Sequence, residues 1–157
     1  MIFGIGVDVL EAARVKRLYE KYGDHFVTRL LMPAERAQLG KTKRTERFLA
    51  MRFAAKEAIV KALGTGFAHG IWIRDVGIVQ NAWGRPEVVY SPRGERVRRK
   101  LGVGGGHVTL TDEAGLIVAV AVLETAPSTR RRATKQAARK KVVKRVAPKR
   151  ESRKAGR

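Results

Sequence analysis

Asp8 breaks an apolar N-terminal run, Ile2 to Val9, directly after Gly4-Ile5-Gly6-Val7. A carboxylate in that setting must lie at an exposed strand end, be paired, or hold a cation, because burying it bare is very costly. It can equally be a turn or N-cap aspartate leading into the helix that follows. A second carboxylate, Glu57, and Lys61 lie in the segment RFAAKEAIVKALGTG. Four residues apart and in the favourable order, these two could form an ordinary surface ion pair contributing about 0.3 kcal/mol. Glu57 also lies one turn beyond Phe53, close to the apolar stripe, so its carboxylate could face inward toward a second acid. Two carboxylates from separate elements are what Mg²⁺ usually takes from a protein, the remainder being water and phosphate oxygens. Lys61, one turn on, and the backbone N–H groups of Gly64, Thr65 and Gly66 would then suit a diphosphate.

Other patterns exclude more than they suggest. Gly4-Ile5-Gly6 lacks a third glycine and opens no long crossover helix, so it is no dinucleotide fingerprint. Gly64-Thr65-Gly66 follows a helical pattern rather than preceding one, so it is no Walker loop. Gly104-Gly105-Gly106 reads as a turn before the strand at His107. The chain has no cysteine and three histidines, His25, His69 and His107. Disulfides and thiolate sites are thereby excluded, and a zinc site is poorly supplied. No apolar run approaches the roughly 20 residues of a membrane span, and the start MIFGIGVDVL lacks a basic leader region. A cytoplasmic protein is expected.

The elements that must position these residues are mixed. Ile2 to Val9 reads as a strand, and Glu11 to Tyr22 as a helix with an apolar stripe at Ala12, Val15, Leu18, Tyr19 and Tyr22. Pro33 opens a short helix. The pattern from Glu46 to Leu63 is the longest helix, stopped by Gly64. Ile71 to Val79 and Pro86 to Tyr90 read as a strand pair across Asn81-Ala82-Trp83-Gly84. Arg93 to Leu101 is a basic helix, and His107 to Thr111 with Leu116 to Leu123 makes a hairpin. Strands and helices do not alternate regularly, so the class is α+β, with a mostly antiparallel sheet and a long central helix.

Taken together, GIGVD at the N-terminus, RFAAKEAIVKALGTG some fifty residues on, then GIWIRDVGIV, GRPEV and HVTL resemble the holo-acyl-carrier-protein synthases. These are the small 4′-phosphopantetheinyl transferases, and the likeness runs in order over essentially all of residues 1–124. It implies a homotrimer with active sites between subunits, which moves the phosphopantetheine arm of coenzyme A to a serine of an acidic apo acyl carrier protein. Asp8 and Glu57 match the family's Mg²⁺-binding acids, with Glu57 also implied in catalysis. Lys61 matches a lysine near the coenzyme A phosphates, and Gly64, Thr65 and Gly66 the loop against which the nucleotide packs. His107 matches a coenzyme-contacting histidine, contributed across the subunit boundary from the metal acids. Arg14 matches a carrier-protein contact on the first helix, with Arg17 and Lys21 on or beside that face. The chain departs from the family where HVTLTD replaces the usual HVSxSH, so that Asp112 stands for a second histidine. It also has Arg85 in a turn where lysine is commoner, and a C-terminal extension.

That extension holds much of the charge. The formal net charge is +20, and residues 126–157 carry 14 Lys/Arg against one acid, Glu151. With no aromatic, Leu or Ile, the extension cannot bury enough apolar surface to offset its ordering entropy. A transferase domain over residues 1–125 and a disordered basic tail over 126–157 are therefore expected. The tail also supports a rival reading of the whole chain as a nucleic-acid-binding protein, salt-dependent and indifferent to sequence.

Overall fold

Glycine sets the geometry of the first strand. β1 (Ile2–Glu11) alternates Gly4, Gly6, Asp8 and Leu10 on one face with Ile5, Val7 and Val9 on the other. A Cβ at Gly4 would fall on the carbonyl oxygen of Ala62, and one at Gly6 on that of Ala58. The long helix α3 (Thr45–Leu63) therefore lies directly on the backbone of β1, with no side chain between them.

The computed structural model describes residues 1–127, so the expectations for the tail from Ser128 onward fall outside the described residues. After β1 come α1 (Ala12–Leu30), α2 (Pro33–Leu39) and α3, then a 3₁₀ turn (Ile73–Asp75). The chain continues through β2 (Val76–Gln80), β3 (Pro86–Tyr90), α4 (Pro92–Lys100), β4 (Val103–Glu113) and β5 (Leu116–Thr125). One sheet has the order β1-β5-β4, and β2 with β3 makes a separate hairpin; every pairing is antiparallel. The α+β expectation is met. α3 supplies the centre of the core, with Leu49, Ala54, Ala58, Ile59 and Val60 buried against Ile117, Ala119 and Leu123 of β5.

Several boundaries differ from those read in the sequence. α1 continues to Leu30 through a break at Gly23, whose φ of 50° glycine adopts without strain. Ile73 to Asp75 curls into a 3₁₀ turn instead of extending the strand, because Asp75 turns back to accept from the Trp72 N–H at 2.8 Å. Gly104-Gly105-Gly106 is part of β4 and not a turn. Side chains at Gly104 and Gly106 would meet Ala126 and Leu123, and the pairing with β5 shifts register there.

A buried ion pair ties α3 to the rest. Lys56 is fully buried and donates to the carbonyls of Ile73 and Val76 at 3.0 and 2.8 Å. It also meets Glu35 of α2 at 2.8 Å, itself fully buried and accepting from the Met32 and Ile78 N–H groups at 2.9 Å. Burial pushes the Lys56 ammonium below its ordinary value, and the Glu35 carboxylate opposes that shift. Removing one member strands the other charge, so Glu35→Ala should lower the unfolding free energy in urea by about 3–5 kcal/mol. A loss under about 1 kcal/mol, the usual size for an exposed pair, would contradict this assignment.

Candidate active site

Asp8 sits within β1, opposite Ala119 of β5, and the residue preceding α1 is Glu11. Asp8 is thus not a helix cap. It is on the face that α3 covers, one position beyond Gly6 on that face, and its side chain is largely shielded. Its Oδ1 receives the Lys61 ammonium at 2.8 Å, and the same ammonium donates to the Val7 carbonyl at 3.0 Å. The surface ion pair between Glu57 and Lys61 does not form; Lys61 turns to Asp8 instead.

Glu57 projects from the same stretch of α3 and is half-buried. Burial, and then the negative charge of Asp8, push its carboxyl above the ordinary glutamate value, while Lys61 and Arg14 pull it down. The four groups therefore form one electrostatic cluster: two acids and a lysine from the β1–α3 contact, and an arginine from α1. Two hard carboxylates, one of them partly buried, are what a small divalent cation needs from a protein. Asp8 and Glu57 would hold it. Among the described residues no group of three or more His, Cys, Asp or Glu could complete a coordination shell, so other ligands must come from water or substrate.

The loop after α3 behaves differently from its sequence reading. Gly64 takes a left-handed conformation (φ 73°) and closes the helix. The Gly64 N–H donates to Lys61 O at 3.0 Å, and those of Thr65 and Gly66 to Val60 O at 3.2 Å. All three N–H groups are thereby spent on capping carbonyls that the helix end leaves over, so they are not available to a diphosphate. The negative end of the helix dipole lies here, which makes Lys61 the group that renders the place hospitable to phosphate.

His107 is not brought to the acids. It lies on β4, two strands from β1, and register places it with Val122 and Ile5 on the face opposite Asp8. The Arg85 guanidinium donates to its Nδ1 at 2.8 Å, and Nε2 lies 3.6 Å from Glu124. Arg85 belongs to the turn between β2 and β3. The same turn contributes Asn81 to an open cavity of about 750 Å³ lined also by Lys41, Lys43, Arg44, Arg47 and Arg52, with no carboxylate among its walls. The sequence reading missed this groove; its signal was the run KTKRTER, whose only acid, Glu46, does not line it. Asp112, standing for the family's second histidine, grips Arg47 at the edge of the groove with two bonds of 2.6 Å. Arg14, Arg17 and Lys21 are all exposed along α1.

Comparison with known proteins places the fold in a family. Residues 4–121 match the model of the 4′-phosphopantetheinyl transferase superfamily. The holo-[acyl-carrier-protein] synthase of Nitrosospira multiformis is 39% identical over 124 residues, covering 79% of this chain and 99% of that protein. The crystal structure of the Neisseria meningitidis holo-[acyl-carrier-protein] synthase superposes with a TM-score of 0.76 at 36% identity, over 80% of this chain and 100% of the other. That of the Bacillus anthracis synthase in complex with CoA (3′,5′-ADP) gives 0.66 at 31% identity, over 80% and 99%. The chain belongs to the 4′-phosphopantetheinyl transferase superfamily and is an enzyme of the holo-[acyl-carrier-protein] synthase kind.

Proposed function

We propose that this enzyme transfers the 4′-phosphopantetheine group of coenzyme A to a serine of an apo acyl carrier protein in a Mg²⁺-dependent reaction of the cytoplasm. The observation that carries the reading is the convergence of Asp8, Glu57 and Lys61 at the β1–α3 contact, with Arg14 beside them. The carrier serine oxygen attacks the phosphorus that bears the pantetheine arm, and the bond to the other phosphate breaks. Adenosine 3′,5′-bisphosphate leaves with that electron pair. Mg²⁺ held by Asp8 and Glu57 would neutralise charge on the diphosphate. Lys61 adds positive charge at the leaving oxygens, where electrostatic stabilisation usually contributes most to the rate. Glu57, acting through a water, takes the serine proton. Gly64, Thr65 and Gly66 offer a surface on which the nucleotide packs, without donating hydrogen bonds. Arg14, Arg17 and Lys21 face the acidic carrier.

A homotrimer belongs to the same reading. Ile5, Val7 and Val9 are 59%, 48% and 59% exposed. They share the outer sheet face with Val118, Val120 and Val122, an apolar surface of the sort that another chain covers. His107 lies on that face, so a neighbouring subunit packed there could receive it, with Arg85, opposite its own Asp8 and Glu57. The rival nucleic-acid reading rests on residues outside those described and leaves the acid pair unexplained.

Asp8→Ala and Glu57→Gln should each cut transfer to a purified apo carrier by more than about 100-fold, beyond the usual cost of losing an outer-shell partner, with unchanged melting. Near-normal turnover at saturating Mg²⁺ would remove the assignment of the metal acids. In the metal-free protein, a carbon-13 titration should place the Glu57 midpoint above the ordinary glutamate value, since its protonated form is the one favoured by burial and by Asp8. Asp8→Asn should lower that midpoint, and no change would separate the two acids. Finally, mixing a Glu57→Gln protein with a His107→Ala protein after subunit exchange should restore part of the activity lost by each. A monomer in sedimentation, or no recovery on mixing, would count against shared sites.

A further inference from the structure

Trp72 serves neither the core nor the chemistry above. It is 63% exposed, yet its surroundings are built. The guanidinium of Arg93 lies over its ring, 4.7 Å from the centroid. Asp75, which is 3% exposed, holds the Trp72 backbone and the Arg93 side chain that covers the ring. The Asp75 carboxylate accepts from the Trp72 N–H at 2.8 Å, the Arg93 Nε at 2.7 Å and the Ser91 hydroxyl at 2.5 Å. Gly94 in the first turn of α4 lets the helix rest on the Asp75 carbonyl, where any side chain would collide. The result is a stacked tryptophan and arginine held in water by a buried knot. These two residue types dominate binding energy in protein interfaces, and prior ordering lowers the entropy that binding must overcome.

On the 3₁₀ turn and α4 every charge without a salt-bridge partner is basic. Arg74, Arg96 and Lys100 are exposed and make no ion pair among the described residues. The one acid of α4, Glu95, is held by Arg98 and Arg99 at 2.7 Å each. α1, the helix of Arg14, Arg17 and Lys21, packs against the same 3₁₀ turn as α4. We infer that Trp72, Arg93 and Arg74 form an aromatic-cationic anchor for an acidic protein surface, and that its occupant is the apo acyl carrier protein, bound away from the reacting serine. The choice of occupant rests on the transferase reading. The anchor extends the carrier interface beyond α1 and gives it an apolar centre, which basic side chains alone do not provide.

Calorimetric titration of the full chain with apo acyl carrier protein, without coenzyme A, tests this independently of catalysis. Trp72→Ala and Arg74→Glu should each weaken binding by about tenfold or more, the size of a hot-spot truncation, whereas Trp72→Phe should retain most of it. Trp72→Ala keeps the backbone N–H that Asp75 uses, so melting should be unchanged. A dissociation constant within about twofold of wild type for Trp72→Ala overturns the inference. So does a wild-type protein that binds no carrier. Loss of duplex DNA binding in the variants with carrier binding intact also overturns it, in favour of nucleic acid. If carrier binding depends on Trp72 but the wild type transfers nothing, the transferase reading fails while the anchor stands.

Discussion

The close approach of β1 and α3 is the constraint from which the site follows. Two glycines remove every atom that would hold the helix off the strand, and Ala58 and Ala62 do the same from the helix side. Once the two backbones touch, the next inward position on the strand, Asp8, must face the stretch of α3 that carries Glu57 and Lys61. Of the two acids, Glu57 is pushed above its ordinary value first by its own burial and then by the negative charge of Asp8. Side by side and partly out of water, they raise the free energy of the doubly ionised state and so favour a cation between them. Lys61 meets part of that demand in this structure by bonding Asp8.

Two ion pairs, each built on a buried acid, flank this contact without taking part in it. Lys56 is the neighbour of Glu57 in sequence but points away from Asp8, into Glu35 and the carbonyls of Ile73 and Val76. Its burial sets the rotation of α3 about its axis and therefore the direction in which Glu57 emerges. Asp75 acts in the same way on the other flank, locking the 3₁₀ turn to α4 through Ser91 and Arg93. The opposite sheet face is left apolar and open, and it holds His107 apart from the acids of its own chain. The proposed site, completed by a second copy, would account for both facts at once.

Much of this was legible in the residues. The α+β class and the long helix ended at Gly64 followed from periodicity, whereas spacing left Asp8 and Glu57 open between ordinary surface roles and a shared site, and only the family resemblance joined the two acids. The reading of Gly64-Thr65-Gly66 as hydrogen-bond donors did not survive, because a helix end has orphan carbonyls of its own and takes those N–H groups first. Ile71 to Asp75 looked extended because it is rich in β-branched and aromatic residues; the side chain of Asp75 turns it, and a local bond of that kind leaves no periodic trace. The three glycines before His107 suggested a turn, and only the proximity of Leu123 and Ala126 explains why they lie in a strand. The pairing of Asp112 with Arg47 joins residues 65 apart in sequence, a separation over which no spacing rule operates.

The central claim is that the acids joined at the β1–α3 contact support metal-dependent transfer of one group to a carrier protein. Intact mass spectrometry of an apo acyl carrier protein, after incubation with this enzyme, coenzyme A and Mg²⁺, tests it most directly, with EDTA as the paired control. The account predicts a single gain equal to one phosphopantetheine arm, lost when EDTA is present. No gain with several carriers, from folded protein, would contradict it, and so would a gain that EDTA leaves untouched.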